Sequence, residues 1–142
     1  MDNRLKRFTE AQKNVYESAL HELENGKKRG HWMWYIFPQI DGLARSSKSK
    51  YYAIKDIEEA KEYLNHPVLG VRLRKCVFAI NSLSDKSAKG ILGYPDFLKF
   101  HSSLTLFFEA SNEELFDSAL TKYFNGTKDQ STLELINKNI YF

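Results

Sequence analysis

A single cysteine, Cys76, rules out an internal disulfide and a cysteine-based metal cluster. Its place in an apolar-periodic segment points to a reducing, cytoplasmic setting. The histidines at 21, 31, 66 and 101 share no spacing that a metal site needs, so no metal is expected. There is no P-loop, dinucleotide fingerprint or nucleophile elbow, and no cofactor is implied. Glycine-rich phosphate cradles are absent too, which leaves any anion site to side chains or helix N-termini. No apolar run approaches ~18 residues, and Met1 to Arg7 is charged where a signal peptide would be apolar. A membrane span and secretion are therefore not expected. Neither an Asn-Gly hairpin nor strand alternation is evident, and there is no internal repeat.

What is present is an ordinary globular composition rich in large rings. Hydrophobic residues make up 42%, charged residues 27% and aromatics 14% of 142 positions. That length suits one domain over residues 1–142, long enough to bury a sizeable core. The net charge of +3 is compatible with a phosphate-bearing partner but does not by itself argue for nucleic acid.

Thr9 with Gln12 forms a capping-box pattern, followed by Ala11, Val15, Ala19, Leu20 and Leu23 at helical steps. Asn25-Gly26 ends that helix. The basic loop Lys27-Lys28-Arg29-Gly30 leads into His31-Trp32-Met33-Trp34-Tyr35-Ile36-Phe37-Pro38-Gln39, which holds both tryptophans. Burying each large apolar side chain is worth roughly 1.5–3 kcal/mol, so this stretch belongs in the core or on a pocket floor. Its spacing suits either a helical turn or a strand, and Pro38 stops either. A loop follows to Lys50, with a helical turn starting within Ser46, Ser49 and Tyr52. Asp56 caps a helix that breaks at Asn65-His66-Pro67. Leu69, Leu73, Cys76, Val77, Ile80 and Leu83 form the cleanest helical stripe. Pro95 opens the most apolar long segment, to Glu109. Asn112 reads as the cap of the next helix, which closes at Asn125-Gly126, and a last helix runs from about Asp129. The expected fold is all-α: a multihelical single-domain orthogonal bundle around buried central helices.

At about 100° per residue, Asp96, Lys99 and Ser103 share one arc of the apolar helix, with Ser102 one sector away. A helix apolar nearly all round is normally buried, so these polar groups need partners. They read as the polar wall of a pocket, Lys99 meeting an anionic group and Ser102 and Ser103 donating hydrogen bonds. A sharper version makes Ser103 a nucleophile with Lys99 as its base. The plainer arrangement is an Asp96–Lys99 surface pair with hydroxyls bonded back to the helix. His31 and Gln39 flank the aromatic stretch as ligand contacts, His31 alternatively bonding a backbone carbonyl. The basic loop beside the tryptophans could serve nucleic acid, but a three-residue basic run more often is a solvated loop.

The chain resembles a family of small, mainly bacterial proteins, domain of unknown function 1810, from about Phe8 to Leu135. His31-Trp32-Met33-Trp34 running into Phe37-Pro38-Gln39 is its most specific signature. The Ser46, Ser49, Tyr52 spacing, the Tyr63-Leu64-Asn65-His66-Pro67 break and the Asp96, Lys99, Ser102-Ser103, Thr105-Leu106-Phe107 helix also belong to it. Gly126, Asp129, Thr132 and Leu133 match its tail. Ala44, Leu92 and Leu104 depart mildly from the usual Gly, Phe and Met. The resemblance implies a mainly helical single domain and carries no catalytic assignment.

Two readings follow. In the first, a small anionic or nucleotide-like ligand sits among His31, Trp32, Trp34, Gln39, Ser46, Ser49, Asp96, Lys99, Ser102 and Ser103, with or without chemistry upon it. In the second, the protein is a non-catalytic structural or protein-interaction module whose polar residues satisfy one another.

Overall fold

The computed structural model describes residues 4–140, and side chains as far as Lys138. Ten helices and no extended strand lie among the described residues. The first stretch holds two helices rather than one: α1 (Lys6–Gln12) and α2 (Tyr16–Glu24). Thr9 is inside α1, its hydroxyl donating to the Lys6 carbonyl, and so caps nothing. Ala19 and Leu23 are buried as expected, but before them the buried stripe is offset by a residue, through Phe8, Gln12 and Tyr16 in place of Ala11 and Val15. Gln12 explains the offset. Its amide donates to the Tyr35 carbonyl at 2.8 Å and the Tyr63 hydroxyl at 3.1 Å and accepts from Arg72, so a polar side chain is accommodated in the core.

The aromatic stretch resolves into a single helical turn, α3 (Met33–Ile36), stopped before Pro38. Two backbone bonds then tie the following loop to residue 54: Asp41 donates to Ile54, and Ile54 donates to Gln39. They form an isolated parallel bridge between Ile40 and Ile54. Ser46 caps α4 (Ser47–Tyr51) by accepting from the Ser49 amide, and Asp56 caps α5 (Ile57–Asn65) by accepting from Glu59. The expected stripe forms α6 (Leu69–Asn81), and Ser87 caps the short α7 (Ala88–Leu92).

The central element is α8 (Asp96–Ser111), packed against α5, α7, α9 (Glu114–Phe124) and α10 (Gln130–Ile140). Every residue from Ser102 to Phe107 is buried. Phe100 meets Phe37 at 4.9 Å between ring centroids, and Phe107 meets Tyr63 at 5.3 Å. One hydrophobic cluster runs from Phe8 to Ile136 and takes in Trp32, Met33, Ile36 and Phe37. Asn112 does not start α9. It ends α8 in the left-handed conformation at φ 58°, which Asn tolerates better than most residues, and Glu113 takes the cap position of α9.

The α5–α6 corner depends on one glycine. A Cβ on Gly70 would lie 2.1 Å from the Leu64 carbonyl oxygen, which already accepts from Arg74 at 3.0 Å. A backbone carbonyl cannot swing aside as a side chain can. Gly70→Ala is expected to destabilise by about 2 kcal/mol or more, despite the ~1 kcal/mol helix-propensity gain. A fall in the urea midpoint at constant m-value is the check; an unchanged midpoint would refute the close packing.

Candidate functional site

The site begins at α2. Glu22 Oε1 accepts from the Arg29 amide at 2.8 Å, the Gly30 amide at 3.0 Å and Trp32 Nε1 at 2.8 Å. One carboxylate thus holds the basic loop and the indole that follows it. Trp32 is consequently core, 1% exposed, and not a wall against which a ligand can stack. The Lys28 amide donates to the Ile91 carbonyl, and its ammonium reaches Asp96 Oδ2 at 2.9 Å. Lys28 is therefore turned inward, its side chain only 9% exposed.

Asp96 is shared. Lys99, one turn further along α8, approaches Asp96 Oδ1 at 3.3 Å, with 25% of its side chain exposed. Its ammonium also lies 4.9 Å from the centroid of the half-buried Trp34 ring, over which Lys48 sits at 5.1 Å. Lys28 also lies in the field of the Glu22 carboxylate, whereas Lys99 has the ring quadrupole of Trp34 beside its share of Asp96.

Lys99 borders a cleft of about 380 Å³. Gln39 and Leu43 form one side from the loop, Leu98 and Ser102 rise from α8, and Asp129 closes it ahead of α10. Ser102 Oγ has one proton for two acceptors, the Leu98 carbonyl at 3.2 Å and Asp129 Oδ2 at 3.1 Å. The same oxygen accepts from the Thr132 amide and hydroxyl, which makes Asp129 the cap of α10. Thr105 Oγ1 accepts from the Asp129 amide at 3.0 Å, fixing the turn to α8.

Of the residues picked out by helix geometry and motif, Gln39, Lys99 and Ser102 line this cleft, and Asp96 and Trp34 touch Lys99. The others lie elsewhere. His31 is exposed and outside the cleft. Ser46 and Ser49 bond each other, Oγ to Oγ at 2.6 Å, and shape the start of α4. Ser103 Oγ is buried with no hydrogen-bond partner among the described residues. With Lys99 committed to Asp96 and Trp34, the Ser103–Lys99 nucleophile pair is not assembled. Asp129 is the member that sequence reasoning passed over as a wall; Thr132 three residues on was its capping signal. The Cys76 thiol is buried, and burial pushes it up to about 12, so it is not a nucleophile at neutral pH. No group of three metal-ligating side chains occurs among the described residues.

The profile of a family described as protein of unknown function (DUF1810) matches residues 2–136. The crystal structure of the conserved hypothetical protein Rv1873 from Mycobacterium tuberculosis is similar to this chain, with a TM-score of 0.92 and 45% sequence identity. That alignment covers 94% of this chain and 96% of the other. Among curated proteins, none matches.

Desolvation by itself would raise the Glu22 carboxyl. The Gly30 and Arg29 amides, the Trp32 indole and Lys28 together hold it below the ordinary 4.5. Its stabilising effect is therefore complete above the unfolded-state value and drains away as pH falls through the lower folded value. Glu22→Gln is expected to be less stable at neutral pH, with a melting curve against pH that is flatter in acid and converges with that of wild type. Parallel curves would deny the carboxylate its organising role.

Proposed function

The chain belongs to the family described as protein of unknown function (DUF1810), and from the cleft beside α8 we propose that it binds a small anionic ligand. The observation that carries this reading is Lys99 on the cleft wall: its carboxylate partner Asp96, at 3.3 Å, is held closer by Lys28, at 2.9 Å. A phosphate or carboxylate at Lys99 would complete the pairing that a single carboxylate leaves unfinished. Asp129, on the same lining and bonded to Ser102, repels a second anionic group and favours a hydroxyl or amine of the ligand. Gln39 offers both a donor and an acceptor. Leu43 and Leu98 supply the apolar remainder expected of a ligand cleft. The ligand of this reading carries one anionic end and hydrogen-bond donors at the other, as a sugar phosphate or nucleoside monophosphate does. The proposal assigns binding and no bond-breaking step. The buried single thiol suits the cytoplasm, which we take as the setting.

Lys99→Ala leaves Asp96 its partner Lys28, so the variant is expected to fold. In a thermal-shift series with inorganic phosphate, ribose 5-phosphate, adenosine monophosphate and citrate, at least one probe should raise the wild-type Tm. At a hundredfold excess over Kd the stabilisation is about 2.7 kcal/mol, a shift of several degrees. Lys99→Ala and Gln39→Ala should each abolish most of it. No shift with any probe, or a shift that survives Lys99→Ala, counts against the reading.

A further inference from the structure

A second hollow, of about 530 Å³, lies between the start of α1, the end of α4 and the segment leading into α5. Five cationic side chains line it (Arg4, Lys6, Arg7, Lys50 and Lys55) against the carboxylates of Asp41 and Glu59. Arg4 also reaches Glu59 and, outside the lining, Glu62, each at 3.7 Å.

Its floor is rigid. Glu59, 1% exposed, accepts from Arg7 Nη2 at 3.1 Å and from the Lys55 amide at 2.9 Å. Arg7 also donates to the Tyr51 and Ala53 carbonyls, both at 2.8 Å, which ties α1 to the end of α4. Arg7 and Glu59 thus neutralise each other as structure. Lys6 and Lys50 differ: both are exposed, and neither has an ion-pair partner among the described residues. In the same lining, Tyr51 leaves 60% of its surface to solvent, its ring held edge-on to Tyr52 at 4.8 Å. Asp41 stands at the rim with its amide fixed to the Ile54 carbonyl at 2.8 Å.

We propose that this hollow is a separate site for a phosphorylated ligand of nucleotide size, with Lys6 and Lys50 on the phosphate and the Tyr51 ring against the base. The volume lies within the range of about 300–1,000 Å³ typical of small-ligand sites. Two exposed ammonium groups and an exposed ring lining one hollow match a ligand that joins phosphate to a flat aromatic group. Asp41 supplies an acceptor for ribose hydroxyls. An extended nucleic acid fits less well, because two carboxylates stand in the hollow.

The test uses the full chain, isotope-labelled and titrated with adenosine diphosphate, with inorganic pyrophosphate and with a short single-stranded oligonucleotide, while amide signals are followed. Adenosine diphosphate should shift saturably the signals of residues 6–7 and 50–55. Because Lys6 and Lys50 are exposed, the double variant Lys6→Gln/Lys50→Gln should keep its fold and weaken that binding by about tenfold or more. Tyr51→Ala should weaken adenosine diphosphate several-fold and leave pyrophosphate unchanged. Lys99→Ala, in the other cleft, should change neither, so the two sites stand or fall separately. Absence of a saturable shift at millimolar nucleotide overturns the proposal. So does oligonucleotide binding that is tighter than nucleotide binding and falls steeply with salt.

Discussion

The carboxylate of Glu22 is the interaction on which the arrangement of the aromatic stretch depends. By accepting from two successive loop amides and an indole, it reverses the chain after α2 and delivers Trp32 to the core. That delivery sets the phase of α3, so Met33, Ile36 and Phe37 bury together and Trp34 is left at the surface of the cluster. The same reversal aims Lys28 at the first residue of α8. Hydrophobic burial supplies most of the stabilisation, but it is non-directional. A hydrogen-bonded carboxylate decides which ring goes inside.

Several polar groups within the helical assembly follow a common logic from which Ser103 departs. Gln12, Ser102, Thr105 and Thr132 are buried, and each has a hydrogen-bond partner on another segment or in the preceding turn. Such bonds add little net stability, yet leaving one unmade costs more than making it gains. They therefore select one packing among many that would bury the same apolar area. Asp129 illustrates this: it caps α10, receives Ser102 from α8 and is itself held by Thr105. The cleft wall and the helix start are one construction.

The loop after Pro38 connects the two hollows. Gln39 faces one and Asp41 the other, while the backbone bonds of both residues to Ile54 keep the segment extended between them. The Ile40–Ile54 bridge is isolated and is not part of a continuing strand, so Gln39 and Asp41 line different hollows.

The all-α class, the cap at Asp56, a helical turn starting within Ser46, Ser49 and Tyr52, the α6 stripe and the burial of α8 could all be read from local spacing, because helix periodicity and capping are encoded within a few residues. The same applies to the Asp96–Lys99 pair, one helical turn apart. Other features needed the tertiary structure. The division of α1 from α2 depends on Gln12 finding Tyr35, Tyr63 and Arg72, which are 23 to 60 residues away. The separation of Ser46, Ser49 and His31 from the cleft, and the entry of Asp129 into it, depend on how the loops and α10 dock on α8. Local spacing specifies which face of a helix a residue occupies, but what that face meets is chosen by contacts between distant segments.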